Sequence, residues 1–325
     1  MLFLSSLAVV LALGNAAAES DLLVLMSEAG RVERYDTANG AHVGTLLSGL
    51  PTANDLLFDA EGRLLISTGA PGGPGTVLRF DPRNGGKVET LLDIPEGYGG
   101  RLFRATGMAW HEGDLLVASQ GDGKVQRYSY PSGEWLADIA LASPGGMTQI
   151  ATHGGRLFVT DFAAQALRRA AEKLDGTMSE VWAQQPGHAP WGLAFDGEGR
   201  AYFSTSANRI LRFDGIAIQE WAGAGGVLNT PIGLALGPDR QLYSASLAGQ
   251  VTVWKTTPIS PPSGPAPRLL QGPPSKSKFL AAKFLAAVVS MIPFAEVHGA
   301  KIITLDVSAP ISGGGGFCRA APRRG

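Results

Sequence analysis

Ile210-Leu211-Arg212-Phe213-Asp214 is one of six copies of a short phrase: an apolar residue, any residue, arginine, an aromatic residue and often aspartate. The other copies begin at Val32, Val77, Val125, Ala166 and Val251, the fourth of them in a blurred form. A period of roughly 40–45 residues built from strand-forming phrases is typical of a β-propeller, in which each repeat forms one four-stranded blade. The sequence therefore predicts an all-β propeller with six blades, and a seven-bladed ring is the alternative.

Each repeat also carries an apolar inner-strand phrase, a polar turn and a second strand before the arginine strand. Gly192-Leu193-Ala194-Phe195, the turn Asp196-Gly197-Glu198-Gly199 and Ala201-Tyr202-Phe203 show this order most clearly. Aspartate and glycine suit a tight hairpin, because glycine accepts positive φ. The fourth repeat is less regular, since the composition of residues 163–174 favours a helix. Its alignment with the neighbouring repeats nevertheless predicts a strand there.

The arginine of the repeated phrase has a structural explanation. Arg34, Arg79 and Arg212 each lie two residues before an aspartate. Residues two apart on a strand share a face, so the pattern predicts a local ion pair in each blade.

The two ends of the chain differ from the repeats. Residues 1–18 combine an apolar run with small residues at Ala16-Ala17-Ala18, which predicts a signal peptide and a secreted or periplasmic protein. The run is too short to span a bilayer comfortably, so no membrane span is expected after cleavage. Residues 19–257 hold the repeats, and the Leu22–Leu25 stretch matches a second strand. The first blade therefore lacks its inner strand unless the C-terminus supplies one.

The C-terminal part allows several interpretations. Residues 258–275 are Pro-rich and predict a linker or an outer strand. Residues 276–309 repeat the basic, apolar, small order of a signal peptide and could be foreign to the fold. Alternatively, residues 284–289 form the closing inner strand, or residues 302–306 form a degraded seventh copy. Residues 310–325 are expected to be disordered.

Composition excludes some classes of partner. Charged residues make up 17% of the chain and the formal net charge is −1, so no basic face for nucleic acid is indicated. Cys318 is the only cysteine, which excludes an internal disulfide and a credible cysteine nucleophile. No Gly-x-Ser-x-Gly motif or metal-spaced histidine pair occurs. We expect a monomer without a cofactor.

The phrases at 192–200, 157–162 and 210–214 resemble NHL-repeat propellers and the related senescence-marker-protein/gluconolactonase family. This resemblance covers residues 20–257. It implies a propeller and, in the gluconolactonase family, a divalent cation held in the central channel by oxygen ligands. The principal ligand there is an asparagine just before a Gly-Leu-Ala phrase. The residues in the corresponding slot of this chain are Asn54, Thr106, Met147, Trp191 and Ile232.

Only Asn54 matches the family's ligand, and Asp161 matches an aspartate that follows the second strand. One amide and one hydroxyl are too few for Ca²⁺, which takes six to eight oxygens, so Asn54 and Asp161 are weak metal candidates. The indole of Trp191 would instead favour an uncharged, partly apolar ligand.

Irregular loops supply the remaining candidates, because binding residues concentrate where loops depart from a regular scaffold. The glycine-rich stretch 69–75 expands the second repeat, and residues 95–104 lengthen the next entry loop with Tyr98, Arg101 and Arg104. His188 precedes the inner strand of the fifth repeat. Asp55 lies beside Asn54.

Two functions follow. The first is a secreted scaffold that binds a small molecule or a protein at the channel mouth without chemistry. The alternative is a gluconolactonase-like, metal-dependent hydrolase with a rearranged site around Asn54, Asp55, Arg104 and Asp161, for which Ca²⁺ is the expected ion.

Overall fold

Six antiparallel sheets form the six blades of a β-propeller, which confirms the predicted fold class. The computed structural model describes residues 12–13, 21–37, 39–83, 86–92, 102–140, 146–170, 174, 178–223, 228–237, 240–247, 251–255 and 284–285. Within these ranges the regular elements are all strands, and no helix is present that could cross a membrane.

The strands follow the chain from blade to blade. Blade 1 contains β1 (Ala12–Leu13), β2 (Asp21–Met26), β3 (Arg31–Asp36), β4 (His42–Leu47) and, from the far end of the chain, β24 (Phe284–Leu285). Blade 2 contains β5 (Ala53–Phe58), β6 (Leu64–Thr68), β7 (Thr76–Phe80) and β8 (Val88–Leu92). Blade 3 contains β9 (Ala105–His111), β10 (Asp114–Ser119), β11 (Lys124–Tyr128) and β12 (Trp135–Ala140).

The second half repeats this arrangement. Blade 4 contains β13 (Met147–His153), β14 (Arg156–Asp161), β15 (Ala166–Ala170) and β16 (Met178–Gln184). Blade 5 contains β17 (Pro190–Phe195), β18 (Ala201–Thr205), β19 (Arg209–Phe213) and β20 (Ile218–Ala222). The described part of blade 6 contains β21 (Pro231–Leu236), β22 (Gln241–Ser246) and β23 (Val251–Lys255).

The first strand of each of blades 2–6 lies innermost, and these strands contact one another around the channel. The core lies between blades. Leu193 and Phe203 of blade 5, for example, belong to one buried cluster with Phe158 and Leu167 of blade 4. Stacking of neighbouring blades thus supplies the hydrophobic burial that stabilises the ring.

The ring closes at blade 1, where two short strands lie on the inner edge of β2. β1 pairs with the beginning of β2, and β24 pairs with its end. All six residues of β2 are buried. β1 and β24, which come from opposite ends of the chain, therefore share the inner position of blade 1. The repeats themselves supply no strand for this position. Residues 286–289 and 302–306 lie outside the described residues.

The fourth repeat forms the predicted strand in spite of its helix-forming composition. β15 pairs with β14 on one side and β16 on the other. Ala166, Leu167 and Ala170 are buried between the neighbouring blades. Packing within the ring therefore outweighs intrinsic helix propensity in this segment.

The predicted Asp-Gly hairpins are present in blades 2 and 5. The carboxylate of Asp196 accepts backbone hydrogen bonds from Glu198 and Arg200 and pairs with the Arg200 guanidinium at 2.6 Å. Gly199 has φ of +81°, which glycine adopts without strain. Burial alone would raise the pKa of Asp196, but hydrogen bonds and the charge of Arg200 outweigh it, so the pKa is lowered.

The arginines of the repeated phrase make contacts across strands, which the prediction did not include. Arg34 binds Asp21 on β2, Arg79 binds Glu89 on β8, and Arg212 donates to Gln219 on β20. The pKa of Asp214 is lowered by backbone hydrogen bonds from Ala217 and Ile216 and, less strongly, by the charge of Arg212 two residues before it. Glu89 and Gln219 lie directly opposite their arginines, at about 4.5–5.5 Å, which is closer than a residue two positions along one strand. Asp21 lies diagonally from Arg34, since the residue opposite Asp21 is Asp36. The arginines therefore connect strands within a blade, as a structural role requires.

Candidate functional site

Every inner strand of blades 2–6 has a register shift near its start. At this shift the residue directly after the first paired residue has no pairing partner on the second strand. We call this residue the slot residue of its strand. These slot residues are Asn54, Thr106, Thr148, Trp191 and Ile232. In blade 4 the sequence alignment was wrong by one position, since Met147 pairs with Asp161 and Thr148 occupies the slot.

Asn54 joins the inner strands of blades 2 and 3. Its Nδ2 donates to the carbonyl oxygen of Gly69 at 3.0 Å and to that of Ala105 at 2.8 Å. Its Oδ1 and the hydroxyl of Thr106 are buried and have no hydrogen-bond partner among the described residues. Since buried polar groups are normally hydrogen-bonded, these two acceptors mark a place with unused binding capacity.

Asp55, one residue deeper, is completely buried and connects three blades. Its Oδ2 accepts from the amide of Met108 in blade 3 at 2.7 Å and from Nε2 of Gln149 in blade 4 at 3.3 Å, and Oδ1 accepts from Leu56. Burial raises the pKa of Asp55 from 3.8 to about 8 and outweighs these hydrogen bonds, each of which lowers it. Asp55 is therefore an uncharged carboxylic acid at neutral pH.

Gln149 can accommodate that proton. Its Oε1 is buried and has no partner among the described residues. The oxygen and nitrogen of an amide are interchangeable by a half-turn, which places Oε1 opposite Asp55 Oδ2 and lets the acid donate. The acid can then donate to the amide oxygen, and no charge is needed at the centre of the ring.

Arg104 is held rigidly at the entry to blade 3. Its φ is +53°, its amide donates to Gly73, and its carbonyl accepts from Gln120. Its guanidinium binds Oε1 of Gln120 at 2.5 Å, and Gln120 in turn donates to the carbonyl of Met147 in blade 4. Burial lowers the pKa of Arg104. These contacts connect the mouths of blades 3 and 4.

The glycine-rich stretch 69–75 packs against this entry and does not stand away from the scaffold. A Cβ on Gly69 would lie 2.8 Å from the Cα of Arg104. Pro74 forms a β-bridge with Phe103, whose ring remains 39% exposed. The glycines thus allow a close backbone approach, and Phe103 provides apolar surface beside it.

Trp191 is buried in the slot of blade 5. Its ring packs on Phe162 at 4.4 Å between centroids and belongs to a cluster that includes Ile232. The indole Nε1 is buried and has no partner in the described part of the chain. His188, at the entry to the same blade, approaches the hydroxyl of Thr205 at 3.5 Å and is half-buried. Trp191 and His188 therefore lie at blade 5, three blades along the chain from Asn54 in blade 2.

Asp161 is already engaged. Its Oδ2 pairs with Arg168 at 2.6 Å, and its Oδ1 accepts from the amide of Ala164. Across the described residues, no group of three or more His, Cys, Asp or Glu side chains could hold a metal. The donor set of Asn54, a neutral Asp55 and this paired aspartate does not fit a Ca²⁺ site.

The sequence candidates divide into three sets, of which Trp191 and His188 at blade 5 form one. Asn54, Arg104 and Thr106 come together at the entries of blades 2 and 3, with Asp55 beneath them. Tyr98 and Arg101 lie outside the described residues. The sequence analysis did not single out Gln149 or Gln120. Gln149 and Asp55 occupy the position where the other repeats have glycine, and this departure could have identified Gln149.

Searches for relatives give structural matches. No protein-family model matches the chain, and no curated protein matches it. Among solved structures, virginiamycin B lyase from Staphylococcus aureus is 15% identical with a TM-score of 0.54, covering 74% of this chain and 78% of the other.

Two other structures represent binding proteins. A nidogen/laminin complex is 16% identical with a TM-score of 0.59, covering 72% of this chain and 88% of the other. An auxiliary nutrient binding protein from Bacteroides ovatus is 13% identical with a TM-score of 0.56, covering 69% of this chain and 63% of the other. At these identities the likeness shows the fold alone: the chain is a β-propeller.

Proposed function

We propose that this propeller is an exported binding protein that holds an uncharged, partly apolar small molecule at the mouth of its channel and performs no chemistry on it. One observation carries the proposal. Asn54 Oδ1, Thr106 Oγ1 and Trp191 Nε1 all lie in the inner-strand slots, are buried and have no partner among the described residues. They offer a ligand acceptors from Asn54 and Thr106 and donors from Thr106 and Trp191.

The electrostatics favour an uncharged ligand. The five slot residues carry no charge. Asp55 beneath them is neutral at pH 7 because burial raises its pKa to about 8. A sugar acid or phosphate would need a cation to offset its desolvation, and the guanidinium of Arg104 at this entry is already bound to Oε1 of Gln120. The exposed ring of Phe103 adds apolar contact at the entry.

The neighbouring structures agree with a binding role, since one is a nutrient binding protein and another is seen in a protein complex. Export rests on the N-terminal segment, whose apolar run and alanines resemble a signal peptide.

The proposal is tested by calorimetry with uncharged glycosides, uncharged cyclic peptides, gluconate and sugar phosphates. We expect the compounds that bind to be among the uncharged glycosides and uncharged cyclic peptides. Thr106→Val removes a hydroxyl oxygen that has no internal partner, so the fold is retained while affinity falls about tenfold, or about 1.4 kcal/mol. Thr152→Val is the control, because the Thr152 hydroxyl binds the Trp110 carbonyl at the other end of the inner strand.

Binding of the acids alone, or unchanged affinity in Thr106→Val, contradicts the proposal. Calorimetric titration of Ca²⁺ distinguishes the hydrolase alternative from a binding protein. The hydrolase requires a heat of Ca²⁺ binding that disappears in Asn54→Ala.

A further inference from the structure

The side-chain amide of Asn54 is held in one orientation. Its Nδ2 donates to the carbonyl oxygen of Gly69 at 3.0 Å and to that of Ala105 at 2.8 Å. Turning the amide over would place Oδ1 against these two carbonyl oxygens, and none of the three atoms carries a hydrogen. Asn54 therefore has no hydrogen left to donate, and its Oδ1 can only accept.

None of the described residues donates a hydrogen bond to this oxygen. Asn54 is 1% exposed, and its Oδ1 has no partner in the described part of the chain. Thr106, the slot residue of the neighbouring blade, follows Ala105 directly and has a buried hydroxyl that is also without a described partner. A buried acceptor without a hydrogen is costly, so the two slots favour a ligand that brings one.

The charges around Asn54 disfavour a cationic donor. Asp55, the next residue, is completely buried and hydrogen-bonded to the inner strands of blades 3 and 4. Burial raises its pKa to about 8, so it provides no negative charge at neutral pH. Arg104, the charged side chain at this entry, is itself a cation. An ammonium group would lose its hydration here without gaining an anionic partner.

We propose that Asn54 selects the ligand: its Oδ1 accepts a hydrogen bond from a neutral N–H or O–H group, and compounds of the same shape without that hydrogen are rejected. This inference rests on the proposed function, because it specifies which uncharged compounds the channel mouth holds. The Thr106 hydroxyl supports the same group, since it can donate to a ligand hydroxyl oxygen or accept a second hydrogen from a ligand amide. An analogue without the hydrogen leaves Oδ1 buried and unpaired, which is the basis of strong discrimination.

Two pairs of uncharged aromatic compounds test this selection in the full-length protein. Indole and benzofuran have nearly the same shape, but only indole carries an N–H. Phenol and fluorobenzene differ in the same way by an O–H. We expect indole, phenol or both to bind at least about tenfold more tightly than the partner without the hydrogen. NMR titration at pH 7 measures the dissociation constants, and the pair that shows the difference identifies N–H or O–H as the donor.

A variant separates hydrogen bonding from shape. Asn54→Leu keeps a side chain of similar size and removes the acceptor, so the two members of each pair should bind it with affinities within about twofold of each other. Thr152→Val is the matched control and keeps the full preference, because the Thr152 hydroxyl binds the Trp110 carbonyl at the other end of the inner strand. The melting temperature of Asn54→Leu reports on its fold. The comparison of the compounds in the parent needs no variant.

The outcomes distinguish this inference from the function on which it rests. Equal affinities within both pairs in the parent, or a preference that persists in folded Asn54→Leu, overturn selection by Asn54. Tighter binding of benzylamine, an ammonium compound, than of indole and phenol contradicts a neutral donor. Absence of millimolar binding by all four uncharged compounds also contradicts this inference. The proposed function fails separately, if the uncharged glycosides and cyclic peptides do not bind.

Discussion

Replacing Asp55 by asparagine will stabilise the protein relative to the parent by about 4 kcal/mol more at pH 8 than at pH 5. Burial raises the pKa of Asp55 from 3.8 to about 8. At pH values between these two pKa values, Asp55 keeps its proton in the folded protein but loses it in the unfolded chain. The stability of the parent therefore falls as pH rises through this window, by about 1.4 kcal/mol per pH unit. Asparagine does not ionise, so its stability lacks this slope.

The measurement is urea unfolding of both proteins at pH 5, 6, 7 and 8. Asp196→Asn is the matched control, because the pKa of Asp196 is lowered and its carboxylate is ionised throughout this range. Its difference from the parent stays constant with pH. A constant difference for Asp55→Asn as well would show that Asp55 is ionised in the folded protein, and the channel would then carry a negative charge.

This prediction also bears on ligand choice. The sequence places Asp55 next to the single family-like asparagine, where an ionised aspartate would support a cation site. Complete burial and the absence of a charged contributor to its pKa shift make the same residue neutral instead. The charge state of a carboxyl depends on its surroundings, which residue identity does not convey.

The fold was predictable from the sequence because each blade repeats the same strand phrases. The period placed all six copies of the repeated phrase on strands, and alignment assigned β15 correctly against local propensity. The repeat alone could not predict which side chains make contact across neighbouring strands. The contact of Arg34 with Asp21 was therefore not predicted, since the position of Asp21 on β2 depends on strand pairing.

The site was predictable only in part. The slot positions followed from the Gly-Leu-Ala phrase, except in blade 4, where Thr-Gln replaces the usual residues and the register puts Thr148 in the slot. Gln149 reaches Asp55 from two blades away, at a sequence separation of 94 residues. A contact of this kind depends on the curvature of the ring, which no single repeat encodes.

Replacing Gly192 by alanine will destabilise the ring by about 1–3 kcal/mol, because the backbones of the inner strands of blades 5 and 6 approach closely there. A Cβ at this position would lie 2.7 Å from both the carbonyl oxygen of Ile232 and the amide nitrogen of Leu234. Both atoms belong to the backbone of β21, so no side chain can turn aside to make room. The strand itself must shift, and its hydrogen bonds to β22 shift with it.

Gly197→Ala is the matched control for this substitution. Gly197 lies in the hairpin turn of the same blade, and a Cβ there would meet no atom within 4 Å. Its effect should stay within about 0.5 kcal/mol. Urea unfolding at pH 6 compares the two variants with the parent. Equal stabilities of Gly192→Ala and Gly197→Ala would mean that the inner strands tolerate a wider spacing. The glycine that opens the Gly-Leu-Ala phrase would then need an explanation other than close packing around the channel.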